Sequence, residues 1–287
     1  MKTVLVIGAA GGSGSATVGA LLRRGDRVHA TVLNDAELRL ADDQNPGLAS
    51  ISLLDLSCSE QLLAAMPAVL EKSGDVDAVI VCAGMSVAGP LETAAISQLR
   101  TVMEVNCFAC LAIYQATMPM LRRTQGRLIM ISSIGGKVAM PMLGNYSASK
   151  YALEGLTDCM RRETNGSGVD IILVQPGGVK TSMTRNQLRD IEDRIANLSV
   201  DEEAQYGTLY RQFLHVVSFG YEQFYSQPEQ IADVILTALD AKEPATRYLG
   251  GPDAEQFYSM ATSMSDRELD VVFAETFGTT PTQAARE

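Results

Sequence analysis

An open, doubly wound α/β fold built on a parallel sheet is the class this sequence predicts, and two observations predict it. Short, continuous apolar runs of strand length, rich in β-branched residues, recur along the chain. Helix-length segments with apolar residues at helical spacing separate them. A strand buried on both faces reads as such a run, and buried strands alternating with helices imply right-handed crossovers with helices on both faces. Ligands of such sheets bind outside the carboxyl ends of the strands, so chemistry is expected just after each strand.

Residues 3–7, Thr-Val-Leu-Val-Ile, form the first run, which glycines close. Ala16, Leu21 and Leu22 carry helical spacing up to Arg23, Arg24 and Gly25, and a second run follows at 28–33, completing one βαβ unit. Further strands are expected at 50–54, 78–81, 127–131 and 170–174, with helices near 59–72, 95–122 and 146–163. From 181 to 227 the pattern changes to charges and amides, then to an aromatic-rich helical segment containing Tyr206, Tyr210, Phe213, Phe219, Tyr221, Phe224 and Tyr225. Residues 230–239 read as an amphipathic helix and 247–249 as a final edge strand before Gly250-Gly251-Pro252. No repeat or low-complexity linker divides the chain. Residues 1–279 thus read as a single domain with a helical insertion at 181–227, and 280–287 as a disordered tail.

A chain of 287 residues can bury a substantial core, and 46% hydrophobic with 20% charged residues is ordinary for a globular protein. A net charge of -11 argues against nucleic acid or an anionic membrane as the main partner. Of five cysteines, Cys107 and Cys110 stand three apart, but with two histidines in the chain, neither near them in sequence, no metal site is expected there. The glycines after Ile7 interrupt the first apolar run too early for a secretory leader, and no other stretch reads as long and apolar enough to cross a bilayer. A soluble, cytoplasmic protein is the expectation.

Gly8-Ala9-Ala10-Gly11-Gly12-Ser13-Gly14 stands between the first strand and the first helix. Glycines there permit a tight turn and close backbone approach, leaving the helix's free N–H groups to face a pyrophosphate; this is the Rossmann arrangement. Tyr146 and Lys150 stand four residues apart at a helix start, so both side chains share one face. A phenol titrates near pH ~10 in isolation, and a neighbouring ammonium favours the phenolate, which makes the pair an acid/base candidate. An exposed tyrosine stacked on a lysine stem is the bland alternative at this spacing.

Together these residues resemble the short-chain dehydrogenase/reductase family and, through Ala83-Gly84 to Glu92 and Ser147 to Gly155, its hydroxysteroid and retinol dehydrogenase branch. The family's glycine turn, N-A-G, helical Asn, Ser, Y-x-x-x-K and P-G elements correspond to Ile7 to Gly14, Cys82-Ala83-Gly84, Asn106, Ser133, Tyr146 to Lys150, and Pro176-Gly177-Gly178-Val179 with Thr181. They occur in order over residues 3–181. Ile7 and Cys82 replace the family's Thr and Asn, which mainly tie neighbouring strands together, so local rigidity is the property in question there.

The resemblance implies roles. Tyr146 would exchange a proton with the substrate oxygen, Ser133 would hydrogen-bond that oxygen, and Lys150 would favour the phenolate and hold the nicotinamide ribose. Asn106 would kink its helix and complete a proton relay through water. Ser132 competes with Ser133, but Ser133 stands at the family's interval of thirteen residues before Tyr146. The cofactor would lie against Gly8, Gly12, Ser13, Gly14, Leu33, Asp55, Leu56, Ala83, Gly84, Tyr146, Lys150, Pro176, Gly177, Val179 and Thr181, with Asp55 accepting from the adenine amino group. No basic residue stands in the glycine turn or in Val32-Leu33-Asn34-Asp35, so NAD is preferred and NADP is left open.

Hydride transfer between that cofactor and a secondary alcohol or ketone is the expected reaction. Apolar segments at 85–88 and 138–143, with the aromatic insertion, suit a bulky, hydroxysteroid- or retinoid-like substrate, although the same residues could simply pack the insertion down. A nucleotide-sensing protein without catalysis is the alternative; it would need the glycine turn but not the acid/base set. A serine hydrolase using Ser86 and His215 lacks the second glycine of a nucleophile elbow. Assembly into a homodimer or homotetramer through the helices at 95–122 and 146–163 is expected from the resemblance.

Overall fold

Val4 and Val6 pack on one face of the first strand and Leu5 and Ile7 on the other, and all four are fully buried. That two-sided burial is what the continuous apolar runs encode. The computed structural model describes residues 1–279; the tail expected to be disordered lies outside the described residues. Seven strands, β1 (Thr3–Ile7), β2 (Arg27–Val32), β3 (Ser50–Leu53), β4 (Ala78–Val81), β5 (Arg127–Ile131), β6 (Asp170–Pro176) and β7 (Arg247–Gly250), form one sheet in the order β3-β2-β1-β4-β5-β6-β7. Every pairing is parallel. The strand order reverses between β1 and β4, which opens a crevice at their carboxyl ends.

One face is covered by α1 (Gly12–Arg23), α2 (Asp35–Gln44) and α9 (Pro228–Asp240). The other is covered by α3 (Ser59–Ser73), by a long helical run, and by α6 (Gly144–Glu163). That run comprises α4 (Ile96–Met103), a π-turn at Glu104–Phe108 and α5 (Ala109–Thr124). By length and composition it meets the test for a membrane span, contrary to the sequence expectation. Its Val102, Cys110, Ile113 and Leu121 are nevertheless buried and its π-turn holds the buried Asn106, as in a core helix.

The insertion is a helical pair, α7 (Ser182–Ala196) and α8 (Val200–Gln223), the second started by a Ser199–Glu202 capping box. Two further helices not foreseen from the sequence follow β7: α10 (Pro252–Ser263) and α11 (Asp266–Phe277). Phe277 of α11 stacks 6.4 Å from Phe213 of α8, so the C-terminal segment helps build the lobe over the sheet edge.

The departures at Ile7 and Cys82 leave β1 and β4 joined by main chain. The N–H groups of Cys82 and Ala83 both donate to the Ile7 carbonyl, at 2.9 and 3.2 Å.

Candidate active site

The carboxyl ends of β4, β5 and β6 converge on a cavity of about 240 Å³, roofed by the α7–α8 lobe. Ser133, Tyr146 and Lys150 line it together. Tyr146 and Lys150 project from the first turns of α6, and the Lys150 Nζ stands 5.7 Å from the centroid of the Tyr146 ring. Lys150 is buried and donates to the Ile131 carbonyl at 2.9 Å. The bland surface pair is thereby excluded for Lys150.

Ser133 follows β5 at the start of a 3-10 turn, Ile134–Gly136. Its Oγ accepts from the Gly135 N–H at 3.0 Å and donates toward the Pro176 carbonyl at 3.4 Å, an interaction long enough to yield to a better acceptor. A Cβ on Gly135 would sit 3.4 Å from that Oγ and 3.2 Å from the Tyr146 ring, so serine and tyrosine flank the same glycine. Ser132 also lines the cavity, but its hydroxyl is buried without a partner among the described residues.

Asn106 lies behind the cavity wall. Its Nδ2 donates to the Met85 carbonyl and to Ser149 Oγ, and its Oδ1 accepts from the Met85 N–H. The kink expected from the resemblance is the π-turn itself. No direct bond joins the amide to Lys150: the side chain is occupied in bracing the loop after β4 against α6.

Of the expected cofactor residues, Ser13, Ala83, Gly84, Pro176, Gly177, Val179 and Thr181 line the cavity. Gly8, Gly12 and Gly14 form the turn beside it, and each has a steric reason: a Cβ at Gly14 would come within 2.1 Å of the Gly8 carbonyl oxygen. Gly8 has φ +82°, and a Cβ there would come within 2.6 Å of Ala83; at Gly12 a Cβ would come within 2.6 Å of Thr181. No side chain caps the first turn of α1 and no acidic residue stands in it, so its free N–H groups suit the diphosphate of a dinucleotide.

Leu33 is exposed at the end of β2, and Asp55 follows β3 with its Oδ1 accepting from the Ser57 N–H at 2.8 Å. Leu56 is 6% exposed, its side chain in the core cluster with Leu54, Leu62 and Met66, so its backbone is the part that can face a cofactor.

Two carboxylates were missed. Glu37 accepts from the Leu33 N–H at 2.8 Å, at the end of β2. Asn34 caps the same helix start, and the Asn-x-x-Glu spacing was a readable sign of it. Asp253, in the first turn of α10, lines the cavity and accepts from the Gly178 N–H. It follows the last strand, where the rule of looking beyond each strand end applied equally. Burial holds its carboxyl above the usual carboxylate range, against the pull of the N–H groups it accepts from.

The remaining walls are mainly apolar: Ile134, Met140, Leu143, Met183, Phe213, Val217, Phe224, Phe257 and Phe277. Tyr146, Ser133 and Lys150 offer a phenol, a hydroxyl and an ammonium to a polar atom in a mainly apolar setting. That is a proton-exchange site beside a dinucleotide turn. Among the described residues no cluster could hold a metal ion.

A sequence profile described as short chain dehydrogenase matches residues 2–192. A 3-amino-tetrahydro-pyrrolizinone reductase of Xenorhabdus hominickii is 31% identical over 275 residues, covering 95% of this chain and 94% of that one. The 17-beta-hydroxysteroid dehydrogenase type 1 of Homo sapiens is 30% identical over 247 residues, covering 83% and 72%. The crystal structure of a short chain dehydrogenase from Burkholderia cenocepacia J2315 in complex with NADP superposes with a TM-score of 0.71 at 25% identity, covering 95% and 97%.

Proposed function

The chain belongs to the short-chain dehydrogenase family and is an oxidoreductase that uses a nicotinamide cofactor, and we propose that it interconverts secondary alcohols and ketones with an apolar body. The observation that carries this reading is the convergence of Ser133, Tyr146 and Lys150 in one apolar cavity.

The nicotinamide, when bound, supplies or accepts the hydride. The phenol of Tyr146 gives its proton to the carbonyl oxygen in reduction and takes it back in oxidation. Ser133 holds that oxygen with the hydrogen it now directs at Pro176, and the Lys150 ammonium, anchored on Ile131, stabilises the phenolate left behind. Asn106 braces the loop and helix that place these groups. A sensing protein would have no use for this set, which is why that alternative is not favoured.

NAD is the proposed cofactor. The Glu37 carboxylate sits on the Leu33 N–H, with Asp35 nearby in sequence, and both would oppose a 2′-phosphate at the end of β2. The structural relative bound to NADP makes this a point to measure. Assembly through α4, α5 and α6 is also proposed, supported by the exposed Leu91, Ile96, Phe108 and Tyr151 on or beside these helices.

The test is a panel of steroids, retinoids, and aromatic and aliphatic secondary alcohols with NAD and with NADP, read by nicotinamide absorbance. Tyr146→Phe is expected to lower turnover of any substrate found by about 10²- to 10⁴-fold, with cofactor binding retained. Full turnover by Tyr146→Phe would overturn the mechanism.

A further inference from the structure

Beside the catalytic cavity a second cleft of about 510 Å³ opens between the loop after β4 and the inner side of α7. Its walls carry polar groups where the catalytic cavity is mainly apolar, among them Ser86, Asn145, Gln187, Asp190, Arg194 and Tyr210. Ser86 and Gln187 line both spaces, and Gln187 Nε2 donates to Ser86 Oγ at 3.1 Å. The partition thus includes a neutral hydrogen bond between two partly exposed side chains, one that a ligand group with its own donor and acceptor can replace.

Size gives this cleft a purpose. The catalytic cavity holds about 240 Å³, and its lining includes Ser13, Gly84, Lys150 and Thr181, so the nicotinamide end of the cofactor must share it. Pockets for drug-sized ligands run to about 300–1,000 Å³. A substrate larger than a small ketone has to extend out of the catalytic cavity, and the Ser86–Gln187 side leads into the cleft.

The chemistry of the cleft says what would extend there. Asn145 immediately precedes Tyr146 and is 6% exposed as a residue, yet it lines the cleft and is not among the residues with buried, unpartnered polar atoms. An amide that lines the cleft without being sealed off there can offer a donor and an acceptor to a ligand. Arg194, the cation of the cleft, is already paired with Glu202. Asp190 also lines the cleft but is exposed, where water and salt screen its charge, so neither an anion nor a cation is called for.

We propose that this cleft is the second half of the substrate site, and that the substrate is amphipathic: its reacting carbon and apolar part lie in the catalytic cavity, and an uncharged hydrogen-bonding headgroup, hydroxyl or amide, lies against Asn145 and Gln187. The assignment of the reacting group rests on the alcohol–ketone reading above; the headgroup subsite rests on the cleft.

The test compares two probes, a straight-chain methyl ketone and the same ketone ending in a vicinal diol. Wild-type protein is expected to show a KM about tenfold lower for the diol ketone. Gln98→Trp, an exposed substitution that fills the cleft mouth, should abolish that advantage while leaving turnover of the plain ketone unchanged. Asn145→Leu should raise the KM for the diol ketone about tenfold without a matching fall in its kcat. Equal KM values in wild type, or equal shifts for both ketones in Gln98→Trp, would overturn the proposal. Should neither ketone turn over, calorimetric binding of the two probes in the presence of NADH reads the same preference. A tenfold difference there supports the cleft even as the alcohol–ketone reading fails, and its absence sinks the cleft.

Discussion

The Asn106 amide donates to the Ser149 hydroxyl at 3.0 Å, and Ser149 Oγ in turn donates to the Tyr146 carbonyl at 2.6 Å. The π-turn is thereby tied to the first turns of α6, and through the paired bonds with Met85 also to the loop after β4. Asn106 is fully buried, so truncating it leaves several polar groups without partners, each costing about 1–3 kcal/mol. Asn106→Ala is expected to lose at least about 2 kcal/mol in urea unfolding and to lower kcat with Tyr146 and Lys150 intact. A variant destabilised to that extent with full turnover would show that the brace does not serve the chemistry.

Glu37 offers a sharper handle on the cofactor than any residue of the glycine turn. Replacing its carboxylate by an amide removes a charge at the end of β2 while keeping an acceptor for the Leu33 N–H. Glu37→Gln is expected to tighten NADP binding by on the order of tenfold and to change NAD binding less. Calorimetric titration with each dinucleotide checks this; unchanged NADP affinity would remove Glu37 from the selectivity argument.

The sequence was legible wherever one local rule decided the outcome. Parallel strands buried on both faces announce themselves as apolar runs, and 247–249 was readable as the edge strand that became β7. Tyr146 and Lys150 were readable because helical spacing alone puts them on one face. Asp253 and the helices α10 and α11 were missed because their place over the cavity depends on contacts with Gly178 and α8 far away in sequence.

His29 makes the fold sensitive to mild acid. It is buried in β2, with Nδ1 2.7 Å from Ser50 Oγ and Nε2 accepting from Arg27 Nε at 3.3 Å, which suits a neutral ring protonated on Nδ1. Burial, then the Arg27 charge, lower its affinity for a proton below that of a free histidine. Between the folded value and the unfolded value near pH ~6.5, the unfolded chain binds more protons, so stability falls as pH drops through that window. Urea midpoints from pH 8 to pH 5 should decline in wild type and decline less in His29→Gln. Parallel declines would assign the sensitivity to other groups.

Asp253 predicts the opposite sign. Among the described residues its Oδ1 has no partner, its other oxygen accepts from the Gly178 N–H, and burial raises its proton affinity. A carboxyl raised in the folded state contributes stability that is complete below the unfolded value near pH ~3.9 and is lost as pH rises through the folded value. At neutral pH the buried charge is therefore a cost carried by the Pro176–Thr181 segment that lines the cavity, and the same field adds to the burial that pushes Tyr225 up to about 12. Asp253→Asn keeps an acceptor for Gly178 and removes the charge, so Tm should rise at pH 8 and converge with wild type toward pH 4. Asp253→Ala should lose stability at both, because the Gly178 N–H is then left without its partner. A Tm for Asp253→Asn below wild type at pH 8 would mean that the carboxylate is compensated by a group its present partners do not include.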